Sequence, residues 1–208
     1  YNLWLEEKEQ KTQVQLTFDG DKDYEFETAN TEWLSDDGTF YLTREDKRNI
    51  RTFPLVYSLR EPAPTVSEYK YELPGDTAVL KQELFIGNVK TGMFKKVDVV
   101  KWRGQLLEVL KVADVQDRVF FIRKKGTRNE FELCSVDAKT GEVKVILHEV
   151  SKPYLNEELF SCRVLNGGKD ILLWSDRSGW GHSYHYDGNG KLLNVVTSGE
   201  WTAGRIMK

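Results

Sequence analysis

Short runs of consecutive apolar residues recur along the chain, and a polar turn precedes each of them. Three such runs lie at residues 40–42 (FYL), 119–122 (VFFI) and 171–174 (ILLW). They are too short for typical helices and are rich in β-branched and aromatic residues, which favour strands. Because successive residues of a strand point to opposite faces, each run predicts a strand that is buried on both faces.

A hairpin pattern follows each of these runs. Residues 82–100 and 131–149 both read as strand, turn and strand, and both contain Glu-Leu followed by Lys-Thr-Gly. The offset between the two copies is 49 residues at both landmarks (132 − 83 and 141 − 92). Glycine suits the end of such a turn because it adopts positive φ without steric cost. A third copy lies at residues 183–196, and a weaker fourth copy lies at residues 2–17.

Another short strand precedes each apolar run, so one repeat contains four antiparallel strands. Four strands in about 45–50 residues are the dimensions of a β-propeller blade. The sequence therefore predicts an all-β fold, a fragment of a β-propeller with about four blades. The single propeller region 1–208 divides into a partial blade at 1–18, blades at 31–100, 106–150 and 158–198, and the start of a next blade at 200–208.

Two segments leave alternatives open. The blade at 31–100 carries an insertion at 48–76 with four of the five prolines, which predicts either an irregular excursion or a pair of extended segments. Excursions of this kind often carry function. Residues 104–117 have leucines at helical spacing, but their place in the repeat favours a strand.

Composition excludes some classes of function. The chain is 39% hydrophobic and 30% charged, as globular domains are, and its net charge of −3 argues against nucleic acid as a partner. No run reaches the roughly 18 apolar residues of a membrane span. Because the sequence begins at Tyr1 and starts in the middle of a blade, we expect it to be a piece of a longer protein.

Reactive side chains are few and scattered. Cys134 and Cys162 could form one disulfide, but two separate buried thiols are the expected arrangement. His182 and His185 are three apart, so a strand would place them on opposite faces, and we predict no metal site and no cofactor. A Gly-x-Ser-x-Gly nucleophile motif is absent, and we predict no catalytic residue in this chain.

Residues 172–201 (LLWSDRSGWGHSYHYDGNGKLLNVVTSGEW) resemble the last propeller repeats of the dipeptidyl peptidase IV family, in the prolyl oligopeptidase superfamily. Residues 3–26 and 32–76 resemble earlier parts of the same propeller, in order. Asp176 and Ser183 depart from the family pattern, which has Glu and Leu there. The matching positions are Ser175, Arg177, Gly179, Trp180, His182, Tyr184, Tyr186, Thr197, Gly199 and Trp201.

The resemblance implies a serine exopeptidase that removes dipeptides from peptide N-termini, often after proline. Its chemistry would lie in a separate C-terminal α/β-hydrolase domain, which this chain lacks, while the propeller would control access. The alternative is a stand-alone propeller that binds protein or glycan through the insertion or through Trp102 and Trp180. Bacterial members of the family are usually exported, so the resemblance also predicts an extracytoplasmic (periplasmic or secreted) location. Exposed blade edges predict self-association.

The resemblance also implies candidate substrate-binding residues. The family's propeller supplies two glutamates that bind the substrate's free ammonium group, and the corresponding segment here is 21–33. Glu25 and Glu27 are two apart and would share a face of an extended segment, although solvated loop charges are the alternative. Arg44 and Asp46 match the family's Arg-x-Asp, for which a structural salt bridge within the blade is the favoured alternative.

Overall fold

The computed structural model describes residues 1–7, 9, 11–35 and 38–206. Within them the chain forms seventeen β-strands and two short 3-10 helices, in antiparallel sheets. The predicted all-β propeller class is confirmed. Residues 104–117 contain a strand rather than a helix, as their place in the repeat predicts.

The chain opens with a two-stranded hairpin. Strand β1 (Trp4–Glu7) pairs antiparallel with β2 (Thr12–Gln15), and Trp4 lies opposite Gln15. This is the strand, turn and strand that the weaker fourth copy predicts, although residues 8 and 10 of its turn lie outside the described residues.

The second sheet has a divided first strand. Residues 24–26 and 32–33 both pair with residues 39–46, on either side of a 3-10 helix at Thr28–Asn30, so the sheet begins at Tyr24. Its strands are β3 (Tyr24–Phe26), β4 (Glu32–Trp33), β5 (Thr39–Asp46), β8 (Lys81–Asn88) and β9 (Met93–Val97).

The insertion forms a separate hairpin between β5 and β8. Strands β6 (Thr52–Tyr57) and β7 (Thr65–Lys70) pair antiparallel and are exposed along almost their whole length. Of the two alternatives for residues 48–76, the pair of extended segments is the one that the structure shows.

Two regular four-stranded sheets follow. The third sheet consists of β10 (Leu106–Leu110), β11 (Arg118–Lys124), β12 (Glu130–Asp137) and β13 (Val143–Val150). The fourth consists of β14 (Cys162–Leu165), β15 (Asp170–Ser175), β16 (His182–Asp187) and β17 (Leu192–Val195), with a 3-10 helix at Asn166–Gly168. In each sheet the strands are paired in chain order.

The sheets pack face to face. Phe120 and Phe121 are adjacent in β11 and both are buried, yet they belong to different cores. Phe120 packs with Ile171 and Tyr184 of the fourth sheet, whereas Phe121 packs in the core that includes Leu84 of the second. One strand therefore contributes to two interfaces, as a consecutive apolar run predicts.

Residues 200–206 do not form the predicted first strand of a further blade. They lie against the fourth sheet, where the Ala203 amide donates to the Gly181 carbonyl (2.7 Å) and Trp174 Nε1 donates to the Ala203 carbonyl (2.8 Å). Ala203 and Trp174 are both buried there, although residues 200–206 pair with none of the described strands.

Three further observations bear on function. Cys134 and Cys162 are both free thiols. In the described part of the chain, no three His, Cys, Asp or Glu side chains are grouped so as to bind a metal ion. None of the helices described there is long and apolar enough to cross a membrane.

Candidate functional site

Strand β3 carries the first predicted site residue. Tyr24 and Phe26 point inward and are buried, while Glu25 between them is exposed, because successive residues of a strand alternate between faces. Glu25 lies opposite Glu45 of β5 in the register. The sequence pattern Tyr-Glu-Phe thus fixes an outward-facing carboxylate at the start of the second sheet.

Glu27 follows β3 and precedes the short 3-10 helix. Its amide donates to the Thr43 carbonyl (3.0 Å), and its carboxylate accepts a hydrogen bond from the Thr43 hydroxyl. Glu27 is half-buried. Two bonds to one residue of β5 therefore fix both the backbone and the side chain of Glu27.

Lys47 lies within electrostatic range of both predicted glutamates, Glu25 and Glu27. The hydrogen bond that Lys47 donates to the Glu45 carboxylate raises the pKa of Lys47, and the nearby charges of Glu25 and Glu27 raise it further. Both predicted carboxylates therefore lie near the same ammonium group. The carboxylates of Glu25, Glu27 and Glu45 thus all lie within electrostatic range of one lysine.

Glu27 also lines a cleft between the second and third sheets, which we call the interblade cleft. It has a volume of about 280 Å³ and is lined by residues of both sheets. Leu107 and Val109 of β10 supply apolar surface, and an ion pair between Glu32 and Lys111 (2.7 Å) lies along its border. Its other lining residues are Ala29, Asn30, Tyr41, Leu42 and Thr43.

Tyr41 contributes a hydroxyl group to the same cleft. Burial raises the pKa of Tyr41 to about 12, and the charge of Glu32 adds to the shift. The hydroxyl therefore stays protonated at neutral pH, and it donates a long hydrogen bond to the Leu110 carbonyl (3.5 Å). The cleft thus combines an apolar surface with carboxylates and a neutral hydroxyl group.

Arg44 makes structural contacts. Its side chain is 1% exposed, and its guanidinium donates to both carboxylate oxygens of Asp19 (3.1 and 3.2 Å) and to the carbonyls of Asp19 and Tyr24. The guanidinium also lies 3.3 Å from the centre of the Tyr24 ring. The partner of Arg44 is thus Asp19, which the sequence analysis did not single out, although it lies in the segment 3–26 that resembles the family.

Asp46 pairs with a different arginine. Both of its oxygens accept from Arg48 (2.9 Å each), and these bonds hold the pKa of Asp46 below its ordinary value. Arg48 lies 3.7 Å from the centre of the Tyr24 ring, so Arg44 and Arg48 both contact that ring. Arg44 and Asp46 therefore each form a salt bridge within the sheet, with Asp19 and Arg48 respectively rather than with each other.

The histidines likewise make structural contacts. His182 is buried and bonds to the Gly199 carbonyl (2.9 Å), whereas His185 bonds to Asp170 (2.8 Å) and Asn194 (3.1 Å). His148 pairs with Glu130 (2.9 Å). The different partners of His182 and His185 agree with their predicted placement on opposite faces of β16.

A larger depression, of about 720 Å³, lies between the turn at residues 127–128 and the segment 152–158. Two of its charged side chains pair with each other, since Arg128 lies 2.7 Å from Glu157. None of the predicted site residues lines it. The smaller interblade cleft is therefore the better candidate site, because Glu27 lines it.

Comparison with known proteins places this geometry in context. The sequence profile of the dipeptidyl peptidase IV (DPP IV) N-terminal region matches residues 1–208. The fold is similar to that of dipeptidyl peptidase 4 from Porphyromonas gingivalis, with a TM-score of 0.81 and 20% identity over 98% of this chain and 31% of that one.

A second similar structure is a proposed dipeptidyl aminopeptidase IV of Bacteroides ovatus ATCC 8483. Its TM-score is 0.65 and its identity 18%, over 85% of this chain and 26% of that chain. The chain thus spans about a third or less of the length of these proteins. With its sequence profile matched from end to end, the chain belongs to the family of dipeptidyl peptidase IV N-terminal regions.

Proposed function

We propose that this chain is the non-catalytic propeller part of a DPP IV-like serine exopeptidase, where it controls access to the active site and binds the peptide N-terminus. Peptide substrates would reach a catalytic α/β-hydrolase domain that lies outside this chain. The family match over residues 1–208 supports the assignment to such a peptidase. The position of Glu27 carries the substrate-binding part of the proposal.

Glu27 presents a carboxylate on the border of a cleft, and both Glu25 and Glu27 lie within electrostatic range of Lys47. A carboxylate accepts charge-assisted hydrogen bonds from an ammonium group, and these are about twice as strong as neutral ones. A free peptide N-terminus carries such a group, whereas an acylated one does not. Binding at Glu27 with support from Glu25 would therefore select peptides with a free N-terminus.

The exposed hairpin β6–β7 supports the gating part. Lys70 at its base donates to the Ile50 carbonyl (3.0 Å) and lies 3.4 Å from Asp23, directly before β3. The hairpin therefore rises beside the strand that carries Glu25. From there it would restrict how large a substrate can approach these carboxylates.

The test is hydrolysis of Gly-Pro and Ala-Pro chromogenic dipeptides, free and N-acetylated, by the full-length protein that contains this chain. We expect cleavage of the free forms only. The double variant Glu25→Gln/Glu27→Gln should lower kcat/KM for them at least about tenfold, since bonds to charged groups contribute roughly 1.5–3 kcal/mol. Equal cleavage of free and acetylated forms by the wild type would contradict ammonium binding.

A second candidate function is a stand-alone propeller that binds protein or glycan. The exposed aromatic side chains Phe53, Tyr69 and Tyr71 of the insertion favour it, because their rings lie within 6 Å of one another on the surface. Cleavage of neither the free nor the acetylated dipeptides would favour this function over the peptidase.

Two further expectations belong to the proposal. We propose an extracytoplasmic location, and fractionation of cells that make the full-length protein tests it. We also propose that the 208-residue chain self-associates, because among the described strands β1 pairs only with β2 and leaves its other edge open. Light scattering that shows only monomer at all concentrations would contradict self-association.

A further inference from the structure

Thr43 of β5 lies beside Glu27 and has a fixed position in the sheet. The Glu27 amide donates to the Thr43 carbonyl (3.0 Å), directly after the residues of β3 that pair with β5. The two neighbours of Thr43 in the strand, Leu42 and Arg44, are each 1% exposed. Because their side chains are buried on one face of β5, they hold the backbone in place while the Thr43 side chain lies on the other face.

The Thr43 hydroxyl engages one of the two carboxylate oxygens of Glu27. It donates to Oε2, whereas Oε1 accepts no hydrogen bond from any residue that the structure describes. A β-branched side chain has few χ1 rotamers, so the hydroxyl is directed by a stiff side chain on a fixed strand. One oxygen of Glu27 is therefore held, and the other is available to a further donor.

We propose that Thr43 is a positioning residue for peptide binding, whose hydroxyl holds the Glu27 carboxylate in the orientation that accepts an ammonium group. The inference rests on the proposed function and adds to it a residue that acts through Glu27. An interaction of this kind contributes equally to the bound substrate and to the transition state. Its loss therefore raises KM and leaves kcat unchanged.

Lys47 gives the physical reason why orientation matters. It donates to Glu45 and lies within electrostatic range of Glu27. A Glu27 side chain released from Thr43 is free to pair with Lys47 instead. A carboxylate that pairs with a cation of the protein is no longer available to the ammonium group of a peptide.

The test is the kinetics of the full-length protein with free Ala-Pro chromogenic substrate. Thr43→Val replaces the hydroxyl with a methyl group and keeps a β-branched residue that favours strands. We expect KM to rise roughly fivefold at unchanged kcat, because a hydrogen bond to a charged group is lost. Thr43→Ala removes the same hydroxyl and should show the same rise. Thr43→Ser keeps the donor and should stay within about twofold of the wild type.

Thr12 provides a matched control in another sheet. It lies opposite Glu7 in the hairpin of β1 and β2, and its hydroxyl donates to Glu7 Oε2 (3.3 Å). Thr12→Val thus removes the same kind of cross-strand bond away from Glu27, and both kinetic constants should stay at their wild-type values. An equal rise in KM for Thr12→Val and Thr43→Val would contradict a specific role of Thr43.

A double variant shows whether Thr43 acts through Glu27. In a Glu27→Gln background, Thr43→Val should change KM by less than about twofold, because the carboxylate that it orients is already absent. A further rise of about fivefold in that background would show that Thr43 acts through the fold, and would overturn the inference.

The remaining outcomes separate this inference from the proposed function. If Glu27→Gln impairs cleavage of the free substrate while Thr43→Val and Thr43→Ala leave KM unchanged, ammonium binding by Glu27 stands and the positioning role is refuted. If Glu27→Gln has no effect, the proposed function fails, and the role of Thr43 fails with it.

Discussion

Asn2 and His182 occupy equivalent places in two copies of the repeat, 180 residues apart (182 − 2). Asn2 Oδ1 accepts from the Gly20 amide (2.8 Å), and His182 bonds to the Gly199 carbonyl (2.9 Å). In both copies a threonine hydroxyl, Thr17 or Thr197 (197 − 17 = 180), contacts this side chain. In both copies, these contacts join the start of the hairpin to the segment that follows it in sequence.

The two threonines also accept a backbone hydrogen bond. Thr17 Oγ1 accepts from the Leu3 amide (2.9 Å), and Thr197 Oγ1 accepts from the Ser183 amide (3.1 Å). We predict that Thr17→Val and Thr197→Val each lower the free energy of unfolding by about 1–3 kcal/mol, because a buried amide loses its acceptor. Urea denaturation measures this loss. Thr65→Val on exposed β7 is the control, and equal effects at all three positions would contradict the prediction.

Removal of the buried guanidinium of Arg44 should be costly. Arg44→Met removes the guanidinium that donates to the Asp19 and Tyr24 carbonyls and that contacts the Tyr24 ring. We expect a loss of about 2–4 kcal/mol in the free energy of unfolding. Arg118→Met removes a 44% exposed arginine paired with its neighbour Asp117, and should cost less than about 1 kcal/mol. Similar denaturation midpoints for the two variants would show that the Arg44 contacts contribute little.

The Asp170–His185 pair predicts a pH dependence of stability. Hydrogen bonds from Asn166 and His185 lower the pKa of Asp170 below 3.8, and bonds to Asp170 and Asn194 raise the pKa of His185 above 6.5. A lowered carboxyl pKa stabilises the fold above pH 3.8, and a raised imidazole pKa stabilises it fully only below pH 6.5. The pair therefore contributes most between these values, and the contribution of His185 is lost as the pH rises through its raised pKa.

This dependence is measurable with urea at about pH 5.5 and 8.5, on either side of the ordinary histidine pKa. We expect Asp170→Asn to reduce the loss of stability that the wild type shows between the two conditions. The neighbouring Lys169 charge remains in both proteins. Asp98→Asn, at an exposed position, should behave as the wild type does. An undiminished loss in Asp170→Asn would show that the pair does not affect folding.

The repeated architecture could be predicted because it depends on local patterns. Phe120 and Phe121 are adjacent and apolar, which requires burial on both faces of β11, and the structure shows the two separate cores. Gly92 and Gly141 end the turns of two copies of the repeat. Both adopt positive φ (69° and 80°), as their position in the repeat indicates.

Other features depend on contacts that a linear pattern does not reveal. Residues 24–33 form two short strands separated by a 3-10 helix, because both ends of the segment find partners on the long strand β5. Arg44 is close in sequence to Asp46 but pairs with Asp19, which approaches from the preceding segment. The interblade cleft requires Glu27 and Val109 from different sheets, so only the packing of the sheets places them together.

The most direct test of the account compares Glu27→Gln with Glu142→Gln, at an exposed position in the turn between β12 and β13, in the full-length protein. The measured quantity is kcat/KM for free Ala-Pro chromogenic substrate and for its acetylated form. We predict that Glu27→Gln lowers the value for the free substrate at least about tenfold, as expected for a lost bond to a charged group, while Glu142→Gln leaves it unchanged. An unaltered preference for the free substrate in Glu27→Gln would contradict the claim that this region binds the peptide N-terminus.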